Sequence, residues 1–369
     1  MSDDRPDAWE RAERVLAVRL DNSGDVLMTG PALRALRESG TERHVTLLTS
    51  PGGAEAGRLL PDVDEVWTYE SPWMKASRPD DSNADFEMID RLRAANFDAA
   101  AIFTVYSQSP LPAALLCLLA GVPRRLAHCR ENPYQLLTDW LPEREPEHGI
   151  RHEVRRQLDL VAAVGCRAPD ERMVVSVSPS ARSHPAQLLA DAGLDAARPW
   201  AVVHPGASAP SRRYPAEHFA QAVRQLVAEH GWQVVFTGGP DEVELVESIR
   251  ASAHVPTHSL AGRLSLEELA GLLGRAPLLI SNNTGPVHLA AGVGTPVVDL
   301  YALTNPQHTP WQVSHRVLYH DVPCRYCYKS ICPEGHHDCL RLVSPDSVVD
   351  ATLELAEETQ LGRPAGNTT

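Results

Sequence analysis

Two runs of strand–helix alternation, one in each half of the chain, constrain the fold more than any other feature. In the first half, short β-branched apolar stretches occur at VLAVRL (15–20), HVTLLT (44–49), EVWTY (65–69) and AAAIFTV (99–105). Helical patterns at about 26–39, 53–60, 86–95 and 111–119 alternate with them, and Pro31 is expected to distort or restart the first. In the second half, WAVVH (200–204), QVVFTG (233–238), LLIS (278–281) and PVVDLY (296–301) read as strands. Helical patterns fall at 215–229, 241–252, 265–274 and 286–291, and SPDSVVDATLELAEE opens with a cap and continues as an amphipathic helix. Such alternation predicts parallel sheets covered on both faces. The 369 residues suffice for two such domains. The expected fold class is therefore α/β, two doubly wound domains facing a central cleft, with ligand at the carboxyl ends of the strands. The expected boundaries are a flexible tail over 1–13, a first domain over 14–175 and a second over 176–343. A C-terminal helix over 344–361 is expected to pack back on the first domain, and 362–369 to be frayed. Part of 165–198, rich in Ser, Pro, Ala and Asp with weak periodicity, reads as the connection between domains.

A formal net charge of −14 argues against a general nucleic-acid binder, because phosphate affinity needs a basic surface. A local basic pocket for one small anion remains compatible with it. The polar, acidic amino-terminal stretch MSDDRPDAWERAE has no apolar core of the kind a secretory signal carries. The longest apolar run, about Leu111–Val122, is shorter than the ~20 residues a membrane helix needs. The expected address is the cytoplasm, with at most peripheral membrane association.

Four stretches carry chemistry. The turn DNSGD (21–25) joins the first strand to its helix, where Gly24 frees the backbone and Asp25 would project from the strand's carboxyl edge; alternatively Ser23 or Asp25 caps the helix. HPGASAPSRRYP (204–215) offers Gly206, the hydroxyls of Ser208 and Ser211, and the charges of Arg212 and Arg213, a set suited to a diphosphate. It also reads as an ordinary surface loop. In SNNTGPVHLAAGVGTPVV (281–298), Asn282, Asn283, Thr284 and Gly285 precede a helix starting near Pro286, where free amides and the helix dipole attract anions. His288 falls on the first turn, facing the same anion or sitting in the core. In GGPDEVE (238–244), Asp241 or Glu242 would hold ribose hydroxyls or simply favour a helix start. Neither G-x-G-x-x-G before a helix nor a Walker lysine, HExxH or GxSxG motif occurs.

These blocks, in this order, resemble glycosyltransferase family 9, the ADP-heptose:lipopolysaccharide heptosyltransferases. RLDNSGDVLMTGPALRAL is similar to the family's amino-terminal signature. HPGASAPSRRYPAEHF, TGGPDEVEL, LAGRLSLEELAGLLGRAPLLISNNTGPVHLAA and the cysteine-bearing tail are similar to its carboxyl-terminal ones. The resemblance spans about Arg14 to Glu358. It implies a GT-B fold of two Rossmann-like domains, acceptor in the first and nucleotide-sugar donor in the second, with inversion and no catalytic metal. Asp25 matches the acid taken as general base, and Arg212 a Lys/Arg position on the donor diphosphate. Glu242 matches the acid on the nucleoside, and Thr284, Gly285 and His288 the donor loop. The family usually reads N-D-T-G-P where this chain has Asn282-Asn283-Thr284-Gly285-Pro286, so Asn283 loses a charge among the donor contacts. YALTNPQHTPW (301–311) also replaces the commoner G-P-T, and both departures fit a divergent member.

Cys324, Cys327, Cys332 and Cys339, with His336 and His337 nearby, have spacing compatible with structural zinc. A disulfide or free thiols fit the same residues, and an odd total of seven cysteines argues against a secreted disulfide scaffold.

The resulting expectation is an inverting, metal-independent glycosyltransferase of lipopolysaccharide biosynthesis. It would move a heptose or related sugar from a nucleoside-diphosphate donor, ADP-heptose, to a glycan or small-molecule hydroxyl. Asp25 is the catalytic residue; Gly24, Ser208, Arg212, Glu242, Asn283, Thr284, Gly285 and His288 bind donor; no cofactor is required. An aspartate at a helix start is expected to have a low pKa, making it a weak base suited to late proton transfer. The alternatives are a non-catalytic nucleotide-sugar binding protein and a GT-B-like sugar-nucleotide epimerase.

Overall fold

In the computed structural model, which describes residues 9–40, 42–74 and 82–361, each half of the chain closes around its own parallel sheet. The two compact units are Met1–Ser176 and Val177–Thr369. In the first, the elements run β1 (Arg14–Arg19), α1 (Ser23–Glu38), β2 (His44–Thr49), α2 (Ala54–Arg58), β3 (Glu65–Thr68) and α3 (Ser82–Ala95). They continue with β4 (Ala99–Ile102), α4 (Leu111–Leu119), β5 (Arg124–Cys129), β6 (Asp139–Pro142) and α5 (Glu153–Ala162). The sheet order is β3-β2-β1-β4-β5-β6, parallel throughout. The strand order therefore reverses between β1 and β4, the crevice where doubly wound sheets place ligands.

The second unit runs α6 (Pro179–Asp191), β7 (Trp200–His204), α7 (Ala216–Ala228), β8 (Gln233–Phe236), α8 (Val243–Ala253), β9 (His258–Ser259) and α9 (Leu266–Leu273). Then follow β10 (Leu279–Asn282), α10 (Gly285–Val293), β11 (Val297–Leu300), β12 (His315–Leu318), α11 (Asp338–Arg341) and α12 (Pro345–Leu361). Its order, β12-β11-β10-β7-β8-β9, repeats the first topology, with the reversal between β7 and β10. In both units the central strands are buried on both faces, which is why they read as continuous apolar runs.

Several expectations are corrected. Residues 9–13 are part of the fold: Trp9 is fully buried, and the buried Arg43 donates to the carbonyls of Trp9 and Ala12. Residues 1–8 and 362–369, expected to be loose, lie outside the described residues. Pro31 neither breaks nor restarts α1, which runs unbroken from Ser23 to Glu38. Every residue from Val26 to Leu36 is buried, so tertiary packing outweighs the one helix hydrogen bond the proline cannot make.

The stretch read as a connection holds α6, capped by Ser178, whose hydroxyl accepts from the amide of Ala181. It packs on α9 where Gly271 leaves no room for a Cβ, which would lie 2.2 Å from the Ala181 carbonyl. The C-terminal helix α12 was expected on the first domain. Instead Val348, Val349, Ala351 and Leu355 join the core of the second unit beside α7.

Candidate active site

In the first unit the candidate site begins with a charge where a buried strand should have none. Arg19 ends β1 with a side chain 0% exposed, so its guanidinium must find partners inside the protein. It finds three. Arg19 Nε lies 2.9 Å from Asp21 Oδ2, Nη2 donates to Asp25 Oδ1 at 3.0 Å, and Nη1 donates to Glu153 Oε1 at 2.9 Å. Asp25 stands in the first turn of α1, yet the helix has no side-chain cap, and Ser23 turns away to the carbonyl of Gly52. The capping alternative for these residues is thereby set aside.

The electrostatics correct another expectation. Burial, reinforced by the charges of Asp21 and Glu153 and opposed by Arg19, pushes the Asp25 carboxyl up to about 7. The sequence had suggested a low value from the helix start; burial among carboxylates outweighs the dipole. A carboxyl poised there is matched to proton transfer near neutral pH. Beside it, at the carboxyl ends of β1 and β4, a cavity of about 220 Å³ is lined by Leu20, Asp21, Trp73, Phe103 and Gln108 among others. Gln108 donates to Asp21 Oδ1 at 2.8 Å, fixing that wall. Gly24 lies in the same turn as Asp25.

In the second unit, the loop after β7 is pinned by the fully buried Asn282. Its side chain accepts from the Tyr214 amide at 2.9 Å and donates to the Pro205 carbonyl at 2.7 Å. Arg213 clamps the loop from outside through the Ala207 carbonyl, leaving Ser208 exposed. Arg212 is half-buried, with one weak contact to Asn305 Oδ1 at 3.5 Å. Ser211 does not offer its hydroxyl to a ligand: it is buried and donates to the Lys329 carbonyl at 2.7 Å.

Gly206 is required sterically, since a Cβ there would lie 1.9 Å from Glu242 Oε1. Glu242 Oε2 accepts from the Gly239 amide at 2.8 Å and sits 3.5 Å from His204 Nε2. Thr284, in extended conformation, is the N-cap of α10 without a side-chain cap, so that helix opens with backbone amides at Thr284–Gly285. Gly206, Glu242, Thr284 and Gly285 thus gather at the carboxyl ends of β7, β8 and β10.

Asn283 and His288 point elsewhere. Asn283 is buried, and its amide nitrogen donates to Asp299 Oδ2 at 2.9 Å and the His308 carbonyl at 2.8 Å. Asp299 is itself fully buried, which holds its carboxyl well above the usual range. His288 is buried and meets His308 edge-on, ring centroids 6.4 Å apart.

The four clustered cysteines are free thiols lining one cavity of about 20 Å³ with Leu303 and Val322; Cys324 Sγ lies 3.7 Å from His336 Nε2. Among the described residues no three His, Cys, Asp or Glu side chains are placed to hold a metal ion, so the zinc that their spacing suggested is not shown. Arg19, Glu153 and Asp299 are candidate-site residues that sequence reasoning missed, and Asp21 was read only as part of its turn. The one signal for Arg19 was a charge ending an otherwise apolar strand.

Against known proteins, the family model described as "Glycosyltransferase family 9 (heptosyltransferase)" matches residues 86–337. The lipooligosaccharide heptosyltransferase 2 of Campylobacter jejuni is 28% identical over 165 residues, 43% of this chain and 51% of that protein. The chain spans about half the length, or less, of the first curated relatives it matches. A family 9 glycosyltransferase structure from Veillonella parvula matches with a TM-score of 0.80 at 23% identity, over 94% of this chain and 98% of that one. The Escherichia coli ADP-heptose LPS heptosyltransferase II structure matches with 0.73 at 23% identity, over 94% and 99%. These likenesses show the GT-B fold that the resemblance implied. Among the described residues no helix is long and apolar enough to cross a membrane.

Proposed function

Because the chain belongs to glycosyltransferase family 9, we propose that it is an inverting glycosyltransferase moving a heptose from ADP-heptose to an acceptor hydroxyl. Asp25 is the base. The observation that carries this reading is the Asp25 carboxylate at the carboxyl edge of β1, held by Arg19 and poised near neutrality. The acceptor oxygen attacks the anomeric carbon while its proton passes to Asp25. The bond from that carbon to the diphosphate oxygen breaks, and ADP leaves with the electron pair. One displacement inverts the anomeric centre.

The leaving diphosphate gains charge as the bond breaks, and positive groups already in place stabilise that change most. Arg212 and the amides at Thr284–Gly285 supply them, so no step is routed through a metal. Glu242 takes the nucleoside side, with Gly24 and Ser208 as further donor neighbours; Asn283 supports from beneath through Asp299, and His288 does so from inside the first turn of α10. The cavity beside Asp21, Trp73 and Gln108 suits an acceptor sugar, an aromatic face for its ring and polar groups for its hydroxyls. The donor is the one that the name of the E. coli relative carries. Lipopolysaccharide core is the proposed acceptor, and the cytoplasm, where nucleotide sugars are made, the proposed place.

Incubation of the purified protein with ADP-heptose and a truncated lipopolysaccharide core tests the reading. Mass spectrometry should show one heptose added to the acceptor and ADP released in equal amount. Donor binding without turnover, or a changed sugar nucleotide with no acceptor present, would replace it with a binding protein or an epimerase.

A further inference from the structure

Glu153 is the buried ionisable group nearest this chemistry that the reaction does not use. It is the first residue of α5, which packs along α1, the helix bearing Asp25. Its side chain is 1% exposed, whereas that of Asp25 is 24% exposed. Oε1 accepts from Arg19 Nη1 at 2.9 Å and from Gln157 Nε2 at 2.6 Å, while Oε2 has no hydrogen-bond partner among the described residues. Gln157 in turn donates to the Thr104 carbonyl at 3.1 Å, anchoring the far end to the segment after β4.

A buried carboxylate with one unsatisfied oxygen is a poor choice for stability alone. Three carboxylates then share one guanidinium, and only the outermost of those facing it from α1 and α5 reaches solvent.

We infer that Glu153 is a positioning residue for the transfer reaction: acting through Arg19, it fixes the guanidinium that orients Asp25 and supplies a second buried negative charge behind it. The inference rests on Asp25 being the base. Among the described residues, the charged groups that shift Asp25 include Arg19 from β1, Asp21 from the β1–α1 turn and Glu153 from α5. Arg19 favours the ionised base; the two acids oppose it and keep it able to take a proton. Neutralising Glu153 therefore makes Asp25 more acidic and a weaker base. Shortening Glu153 keeps the charge but draws it away from Arg19, so orientation suffers while acidity changes little.

The test compares pH profiles of kcat/KM for the wild type, Glu153→Gln and Glu153→Asp, alongside donor affinity and thermal unfolding. Glu153→Gln should move the acidic limb down by about half a unit to one unit, as expected for one charge screened by the protein. Glu153→Asp should leave the limb within about 0.3 unit and lower kcat by about tenfold, as expected for a misplaced base. Donor affinity should not change in either. Superimposable profiles and unchanged kcat, with only a lower unfolding midpoint, would reduce Glu153 to a structural residue and overturn the inference. If Glu153→Gln does not fold, Glu153→Asp decides: wild-type kcat in that variant overturns the proposal. An active Asp25→Asn would instead remove the assignment of the base itself, so the two failures are distinct.

Discussion

Gly206 and Glu242 compete for one volume: the carboxylate of Glu242 occupies the space where any other residue at 206 would carry its Cβ. The glycine at the end of β7 thus sets where the acid after β8 can stand. Gly206→Ala should push Glu242 off its contact with the Gly239 amide and raise the donor KM, by about tenfold for one lost charge-assisted hydrogen bond. kcat should change much less. Isothermal titration with ADP measures the same loss directly, and the double variant Gly206→Ala/Glu242→Ala should show no loss beyond that of Glu242→Ala alone.

Among the described residues Arg212 makes one weak side-chain hydrogen bond, to Asn305, so its charge is not committed there to a strong partner. Arg212→Ala should weaken ADP binding by about 10- to 100-fold, the range for a hydrogen bond to a charged group. Affinity for the nucleoside adenosine should stay the same. Equal ADP affinity in the two proteins would remove Arg212 from the diphosphate site.

Asp25 makes stability depend on pH in a stated direction. Its folded carboxyl is raised from 3.8 to about 7, so the folded chain holds this proton more tightly than the unfolded one. The stabilisation from that proton is full below about pH 4 and is lost as pH rises through about 7. Above that, burying the ionised group costs up to a few kcal/mol. Asp25→Asn should therefore raise the unfolding midpoint by a few degrees at about pH 8.5, with a smaller gain at about pH 5. Calorimetric scans at the two pH values check the sign.

Asn283 stands where the family pattern that this sequence resembles has an acid, and the partner it meets explains why an acid does not fit here. Its amide nitrogen donates to the buried Asp299. Asn283→Asp would place two carboxyls at hydrogen-bond distance in the interior, and should cost about 2–4 kcal/mol, growing with pH. Asp299→Asn in the same chain exchanges the two side chains and should recover most of the loss. Thermal unfolding of the three variants measures it.

The parts of this architecture legible in sequence were those carried by local pattern. β1 with its turn, and β10 leading into α10, combine an apolar run with glycine and cap chemistry at fixed offsets. α6 escaped because its buried residues are Ala181, Pro185 and Leu189, too sparse to make a periodic stripe. β5 opens on two arginines and β12 is half-exposed at a sheet edge, so neither reads as an apolar run. In the candidate site, motif chemistry singles out Asp25 and the second unit's loops in the sequence. The Arg19–Glu153 pair was not, because its members lie 134 residues apart and neither belongs to a recognisable local signal. Only the packing of α5 on α1 makes them one group. The raised pKa of Asp25 was hidden for the same reason: it depends on burial and on carboxylates that the sequence does not place together.

Whether Asp25 takes the acceptor's proton is decided by one comparison. Heptose transfer from ADP-heptose is measured for the wild type and Asp25→Asn at saturating substrates, with ADP affinity determined in parallel. kcat should fall by about 10²–10⁴-fold, the contribution of a positioned general base, with ADP affinity within about twofold. Transfer by Asp25→Asn at the wild-type rate would contradict it.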